Sequence, residues 1–399
     1  MDAPADALVL LFTRGVSLRT WSLTGGIDRE LALYRRLAAH YQRVLLVSYG
    51  GEDDAALLRM HAPELELICN RVGVGESAFA SSIPTLVSAA LSGVGRIVVK
   101  TNQMYGGEVA VALARHLRDR GVAAGLVARG GYLWSRMAAF EHGPNSPQAD
   151  AAAKTEGVLC PAADVVVGTT ADMTEDLAWR YGLDPRRGKV IPNYVIPPEG
   201  EPPAAADREP GLILYAGQLI PRKRADILID AVAMMSDEAR AGVRLEVIGD
   251  GPLLPALRER AKGLPVEFRE RQSNRELMER MSRCSIYAQS SEMEGHPKTI
   301  LEALAAGAPV IVADTPGQSE TVTHGLTGLR IENSPEAFSR AFVDLLADPE
   351  WRDMLGAGAA RAARAAFSLD AVVPLELEAH ALAQDHAARS LTRSVRSTR

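Results

Sequence analysis

Two glutamates stand eight residues apart, Glu294 and Glu302, in the stretch Ser290-Ser291-Glu292-Met293-Glu294-Gly295-His296-Pro297-Lys298-Thr299-Ile300-Leu301-Glu302. Pro297 suits the start of a helix, where its missing N–H would have no intrahelical acceptor. Gly307 suits the end. The segment between them is nearly apolar all round, with Ile300, Leu301, Ala303, Leu304, Ala305 and Ala306. Such a helix belongs in a core. Glu302 is then a carboxylate on a buried element, where an unpaired charge is costly or takes up a proton. Its donors are either Lys298, one helical turn before it, or the two hydroxyls of a ligand diol. Gly295 lets backbone approach a ligand closely. The N–H groups of Lys298 and Thr299 fall in the first turn and point outward, a ready place for an anion. Phosphate at the helix start and a diol at the carboxylate is a way to hold a nucleotide sugar.

These residues must be positioned by a larger frame. Short β-branched runs alternate with helical patterns along the chain. Runs at 7–12, 43–48, 65–68, 96–100, 123–128 and 164–168 predict buried strands of a first half. Runs at 212–216, 244–248, 266–268, 284–288 and 309–313 predict those of a second. Alternation of this kind implies α/β architecture, with parallel sheets covered by helices on both faces. Each half is long enough for a doubly wound, Rossmann-like domain. A chain of 399 residues is too long for one ordinary core. The proline-rich stretch around 196–210 lacks periodicity and reads as a linker.

Composition narrows the classes further. An apolar content of 47% and a charged content of 24% are those of a soluble globular protein. A net charge of −6 argues against a general nucleic-acid binder. Cys69, Cys160 and Cys284 are far apart, odd in number and form no zinc pattern, which suits a reducing compartment. The first residues carry no basic run of the secretory type. No apolar run approaches the roughly 20 residues that span a bilayer. A cytoplasmic protein is expected. Arg389, Arg393, Arg396 and Arg399, in a Ser/Thr-rich end without acidic residues, read first as a solvated tail. Peripheral association with the anionic inner membrane surface is the alternative.

Glu294-x7-Glu302, followed by Ala303-Leu304-Ala305-Ala306-Gly307-Ala308-Pro309-Val310-Ile311, resembles the E-x7-E segment of the family 4 retaining glycosyltransferases. Tyr215-Ala216-Gly217-Gln218-Leu219-Ile220-Pro221-Arg222-Lys223-Arg224-Ala225-Asp226 resembles that family's GRL-x-x-x-KG segment. Val247-Ile248-Gly249-Asp250-Gly251-Pro252 is similar to its GDGP turn. Thr315-Pro316-Gly317-Gln318-Ser319-Glu320 and Gly325-Leu326-Thr327-Gly328-Leu329 are similar to its last strand-end turn and closing loop. The likeness covers about residues 210–370, and is weaker before residue 190.

The resemblance implies a GT-B fold, two Rossmann-like domains facing across a cleft. Residues 1–195 would bind acceptor, 196–210 link, and 211–372 bind the nucleotide sugar. Residues 373–388 would form a helix returning to the first domain, ahead of a basic flexible tail over 389–399. Lys223 would contact the donor diphosphate, with Arg222 and Arg224 beside it. Gln218, next to Gly217, stands where the family usually has arginine. Glu294 would lie by the transferred sugar near its anomeric carbon, and with Lys223 carry catalysis. Gly295, His296, Pro297, Lys298 and Thr299 would line the donor, His296 to Thr299 through backbone, and Glu302 would hold the ribose. Gly25-Gly26, after the first strand, would offer amides to the donor phosphates. Relatives often carry a histidine after the strand that ends here at Ala128. This chain has Arg129-Gly130-Gly131-Tyr132-Leu133-Trp134 there instead. Arg129, Tyr132 and Asn102 are the acceptor candidates.

The activity implied is retaining, metal-independent transfer from a nucleoside-diphosphate sugar, UDP- or GDP-linked, with no permanently bound cofactor. No Asp-x-Asp pair or metal-ligand cluster occurs in the sequence. The acceptor would be a glycan, a lipid-linked or a small molecule, in cell-surface polysaccharide or glycoconjugate biosynthesis. A non-catalytic nucleotide-sugar-binding protein, or an epimerase or phosphorylase of the same fold, are the other readings.

Overall fold

The computed structural model describes residues 5–397. The first four residues and Arg399 lie outside the described residues, as does the side chain of Arg396. The chain forms two compact units. One comprises residues up to Ile191 together with those from Val372 onward; the other runs from Pro192 to Ala371.

The first unit is built on seven strands: β1 (Ala7–Leu11), β2 (Arg43–Ser48), β3 (Glu66–Cys69), β4 (Arg96–Thr101), β5 (Ala123–Arg129), β6 (Val165–Gly168) and β7 (Gly188–Val190). Their order is β3-β2-β1-β4-β5-β6-β7, all parallel. β1, β5 and β6 are buried along their whole lengths, which is why they read as unbroken apolar runs. Helices cover the sheet with one apolar stripe each. In Ile27–Ala38 the buried residues are Ile27, Leu31, Leu33, Tyr34 and Leu37.

The second unit holds β8 (Leu212–Ala216), β9 (Arg244–Ile248), β10 (Val266–Arg269), β11 (Ile286–Gln289), β12 (Val310–Ala313) and β13 (Leu329–Ile331). The order is β10-β9-β8-β11-β12-β13, again all parallel. β7 and β13 span three residues each and stand at sheet edges, too short to announce themselves as apolar runs.

Two segments differ from the sequence reading. The proline-rich stretch belongs to the second unit from Pro192 onward. Arg208 anchors it there, donating to the carbonyls of Pro203 at 2.9 Å, Gly307 at 2.7 Å and Ser282 at 2.8 Å. The last helix runs from Leu369 to Ser397, through the stretch expected as a tail.

That last helix docks on the first sheet through charge. Glu376 is fully buried; Lys100 Nζ lies 2.7 Å from its Oε2 and Arg129 Nη1 lies 3.2 Å from its Oε1. Burial would raise the Glu376 carboxyl, but Lys100 foremost, then His380 and Arg129, hold it far below the usual carboxylate range. His380 Nδ1 is 2.8 Å from the Tyr41 hydroxyl. Its Nε2 is 3.3 Å from Glu376 without the alignment of a hydrogen bond.

Candidate active site

β8 and β11 are sheet neighbours although three strands apart in number. β9 and β10 extend from one side of the pair, β12 and β13 from the other. In a doubly wound sheet this reversal leaves a crevice beyond the strand carboxyl ends, where ligands bind. The segments that follow these two strands meet there. After β8 the chain makes the 3-10 turn Pro221–Lys223 and the helix Ala225–Ala233. After β11 it runs to the helix Lys298–Ala305. The two segments are joined at backbone carbonyls: Glu292 N–H donates to that of Arg222 at 2.9 Å, and Ser290 Oγ donates to that of Arg224 at 2.6 Å.

Lys223 Nζ lies 2.5 Å from Glu294 Oε1, and Arg222 Nη1 lies 3.2 Å from Oε2. Arg222 Nη1 also donates to the Met293 carbonyl at 2.7 Å. The Glu294 side chain is only 9% exposed. Burial would raise its carboxyl, but Lys223 and then Arg222 outweigh that, so it stays ionised, below the usual carboxylate value. Two cations against one carboxylate leave a positive excess at the crevice. The third basic residue faces elsewhere. Arg224 pairs with Asp226 at 3.0 Å and with Glu292 at 2.7 Å. It is also the one non-glycine among the described residues in the left-handed region, at φ 49°. That conformation is sterically costly, and its two carboxylates secure it.

Gln289 joins this cluster to the helix start. Its Nε2 donates to Glu294 Oε1 at 3.3 Å and to Ser291 Oγ at 3.2 Å. Its Oε1 accepts from Thr299 Oγ1 at 3.1 Å and Tyr287 OH at 3.0 Å. Sequence reading passed Gln289 over, because a lone amide at a strand end carries no spacing signal. Gly217 donates its N–H to Ile248 at 3.0 Å, and Gln218 is exposed.

Pro297 sits one place outside the helix, as its cap rather than its first residue. Its carbonyl accepts from Ile300 at 3.1 Å and Leu301 at 3.2 Å, so the intrahelical ladder begins beyond Lys298 and Thr299. The loop ahead of it is clamped. A Cβ on Gly317, at φ +82°, would lie 2.4 Å from the Glu294 carbonyl oxygen and 2.5 Å from that of Gly295. His296 is 6% exposed. Its Nδ1 accepts from Asn193 N–H at 3.0 Å, its carbonyl accepts from Asn193 Nδ2 at 2.7 Å, and its ring meets Phe367 edge-on at 5.3 Å. An accepting Nδ1 places the ring proton on Nε2. Glu302 is 1% exposed, and Asn274 donates to its Oε1 at 2.7 Å. This amide comes from another helix, Asn274–Arg283, and is a donor that the sequence reading did not name.

In the first unit the sheet reverses between β1 and β4. Asn102 follows β4 and donates its N–H to Leu11 at 2.9 Å. Gly25 and Gly26 are placed differently from expectation. A helix, Leu18–Leu23, stands between β1 and the pair. Gly25 N–H donates to Ser22 and Gly26 N–H to Trp21, both at 2.9 Å, closing that helix. Their amides are therefore spent, and the next helix carries Asp28 and Glu30 in its first turn, a poor reception for phosphate. The start of Leu18–Leu23 is filled as well: Asp54 accepts from Leu18 N–H and Arg19 N–H, both at 2.9 Å. Arg129, expected toward an acceptor, is 7% exposed and held by Glu376. Tyr132 is half-buried, and its neighbour Trp134 meets Tyr105 edge-on at 4.8 Å.

Residues 200–362 match the family described as Glycosyl transferases group 1. That segment is similar to the family, and the chain has the GT-B type of fold. The D-inositol 3-phosphate glycosyltransferase of Geodermatophilus obscurus is 31% identical over 257 residues, 59% of this chain and 56% of that protein. The GDP-mannose-dependent alpha-(1-6)-phosphatidylinositol dimannoside mannosyltransferase of Mycobacterium tuberculosis is 32% identical over 140 residues, 35% of this chain and 36% of that one. The first of these matches spans little more than half of the relative, the second about a third. Among solved structures, Anabaena HepE in complex with UDP and glucose superposes with a TM-score of 0.69 at 16% identity, over 93% of this chain and 98% of that one. Sucrose-phosphate synthase from Thermosynechococcus elongatus gives 0.69 at 20% identity, over 98% of this chain and 100% of that one.

Proposed function

We propose that this chain is a retaining glycosyltransferase that moves a sugar from a UDP- or GDP-linked donor to a glycan, lipid-linked or small-molecule acceptor, without a metal ion. The observation that carries the reading is the buried Lys223–Glu294–Arg222 cluster at the reversal of the second sheet, inside the family-matched segment. Departure of a nucleoside diphosphate builds negative charge on its leaving oxygen. Preorganised cations stabilise that charge most in a dry, low-dielectric site. Lys223 and Arg222 supply them, and the outward N–H groups at the start of Lys298–Ala305 add an anion-binding helix end. Glu294, kept ionised, stabilises the positive charge that grows at the anomeric carbon. Glu302 accepts from a ribose hydroxyl at the far end of the same helix turn. The donor site is drawn from the second unit, since Gly25 and Gly26 have their amides engaged. Asn102 and Tyr132 remain the acceptor-side candidates in the first unit. The relatives' names, one an inositol-phosphate glycosyltransferase and one GDP-mannose-dependent, and UDP in HepE, support a nucleotide-sugar donor.

The test is nucleoside diphosphate release from UDP-glucose and GDP-mannose. Slow release from one donor is expected, undiminished by EDTA and lowered about a hundredfold in Lys223→Ala or Glu294→Gln. Loss in EDTA, restored by magnesium or manganese, would overturn the metal-free route. An absence of both release and binding of UDP or GDP would overturn the transferase reading.

A further inference from the structure

A hollow of about 390 Å³ opens in the first unit, lined by Asp164, Arg187, His386, Arg389, Ser390 and Arg393 among others. Asp164 immediately precedes β6, and Arg187 immediately precedes β7. The hollow therefore lies at the amino ends of these strands. The four residues of β6 rise about 13 Å, which separates it from the loops at the strand carboxyl ends.

Its charge is one-sided. His386, Arg389, Ser390 and Arg393 recur at helical spacing and form one stripe of the last helix. Among the described residues no carboxylate pairs with Arg389 or Arg393. Asp164, the acidic residue of the wall, is already engaged. Arg118 Nη2 is 2.5 Å from it, and Leu126 N–H donates to it at 2.7 Å. On the facing wall Arg187 Nη2 donates to the carbonyls of Cys160 at 3.1 Å, Pro161 at 3.0 Å and Ala163, at the end of the helix Pro147–Ala162. Its Nε is buried and finds no acceptor. The helix dipole accounts for little of the cationic stripe. Arg389 lies about two turns before the helix end at Ser397, and the dipole fades within the last turn.

We propose that this hollow binds a phosphate-bearing anion. Guanidinium forks match phosphate oxygens in pairs, and those of Arg389 and Arg393 line the hollow beside a hydroxyl, with Arg187 adding positive charge from the opposite wall. A hollow of this volume has room for a phosphate ester. A soluble phosphate ester and a phospholipid headgroup share that chemistry. The hollow shares no residue with the donor site and does not rest on the transferase reading.

The full chain is titrated with glycerol 3-phosphate by calorimetry, and sedimented with vesicles of phosphatidylglycerol in phosphatidylcholine. The test pair is Arg389→Gln with Arg393→Gln, both exposed, with the fold checked by thermal melting. The control pair, Arg340→Gln with Arg361→Gln, removes equal charge from exposed positions of the second unit. The wild type is expected to bind at least one probe, the test pair to bind about tenfold more weakly, and the control pair to match wild type. Binding of glycerol 3-phosphate assigns a soluble ester; vesicle binding without it assigns a headgroup. Failure of both probes with wild type, or equal loss in both pairs, overturns the proposal. A chain that binds glycerol 3-phosphate but neither UDP nor GDP would sink the transferase reading and leave this one standing.

Discussion

Glu302 shows how a buried carboxylate can be both structural and poised. Asn274 satisfies one oxygen from a neighbouring helix, which lets the charge sit on the nearly apolar helix Lys298–Ala305. Glu302→Gln keeps the size and can still accept from Asn274, but drops the charge. Charge-assisted hydrogen bonds are worth about 1.5–3 kcal/mol. Nucleoside diphosphate affinity should therefore fall about tenfold or more while the melting temperature changes little. Calorimetric titration with UDP and GDP beside a thermal melt checks this; unchanged affinity would remove the ribose role. The spacing of Glu294 and Glu302 made both residues legible, because each lies a fixed distance from one helix start. Asn274 was not legible, since 28 residues and another helix intervene. Arg129 was misjudged for the same reason: its partner Glu376 is 247 residues away. A basic residue at a strand end looks free until the distant carboxylate is placed.

At the scale of elements, the loop Ser290–Pro297 is shaped by what presses on it. A Cβ on Gly317 would meet the carbonyls of Glu294 and Gly295 closer than side chains come to backbone, and the residue is in a left-handed conformation. Gly317→Ala should push the loop away from Arg222 and Lys223. A drop in turnover larger than the drop in donor affinity is expected, with stability lowered by about 1–3 kcal/mol. Denaturant melts and steady-state kinetics test it, and wild-type values in both would show that the clamp is dispensable. The long strands were legible because burial on both faces writes them as apolar runs. The helix Leu18–Leu23 was not. It is six residues long and is set by Ser17 and Thr20 capping each other, a signal too local to outweigh the Gly25-Gly26 pair that follows.

For the whole molecule, the decisive feature is the return of the chain to its first unit at Val372. The last helix brings Glu376 to Lys100 and Arg129, and removing one partner of a buried pair costs about 3–5 kcal/mol. Glu376→Gln should destabilise the first unit by about that amount, and unfolding in urea followed by fluorescence measures it. Acid should have a related effect. The Glu376 carboxyl is depressed in the folded state, so its contribution is present above the ordinary carboxylate range and is lost as pH falls below about 4.3. His380, held neutral by burial, acts in the same direction from about pH 6.5 downward, because the unfolded chain binds the proton first. A urea midpoint that does not move between pH 7 and pH 5 would remove His380 from that account. The same return has a consequence for synthesis. The second unit is one continuous stretch and can complete its core before the helix that carries Glu376 is in place. The first unit, begun earlier, waits with Lys100 uncompensated until the last helix leaves the ribosome. Order of translation and order of folding are therefore reversed, and the nascent first half stays incomplete until the helix bearing Glu376 has been made.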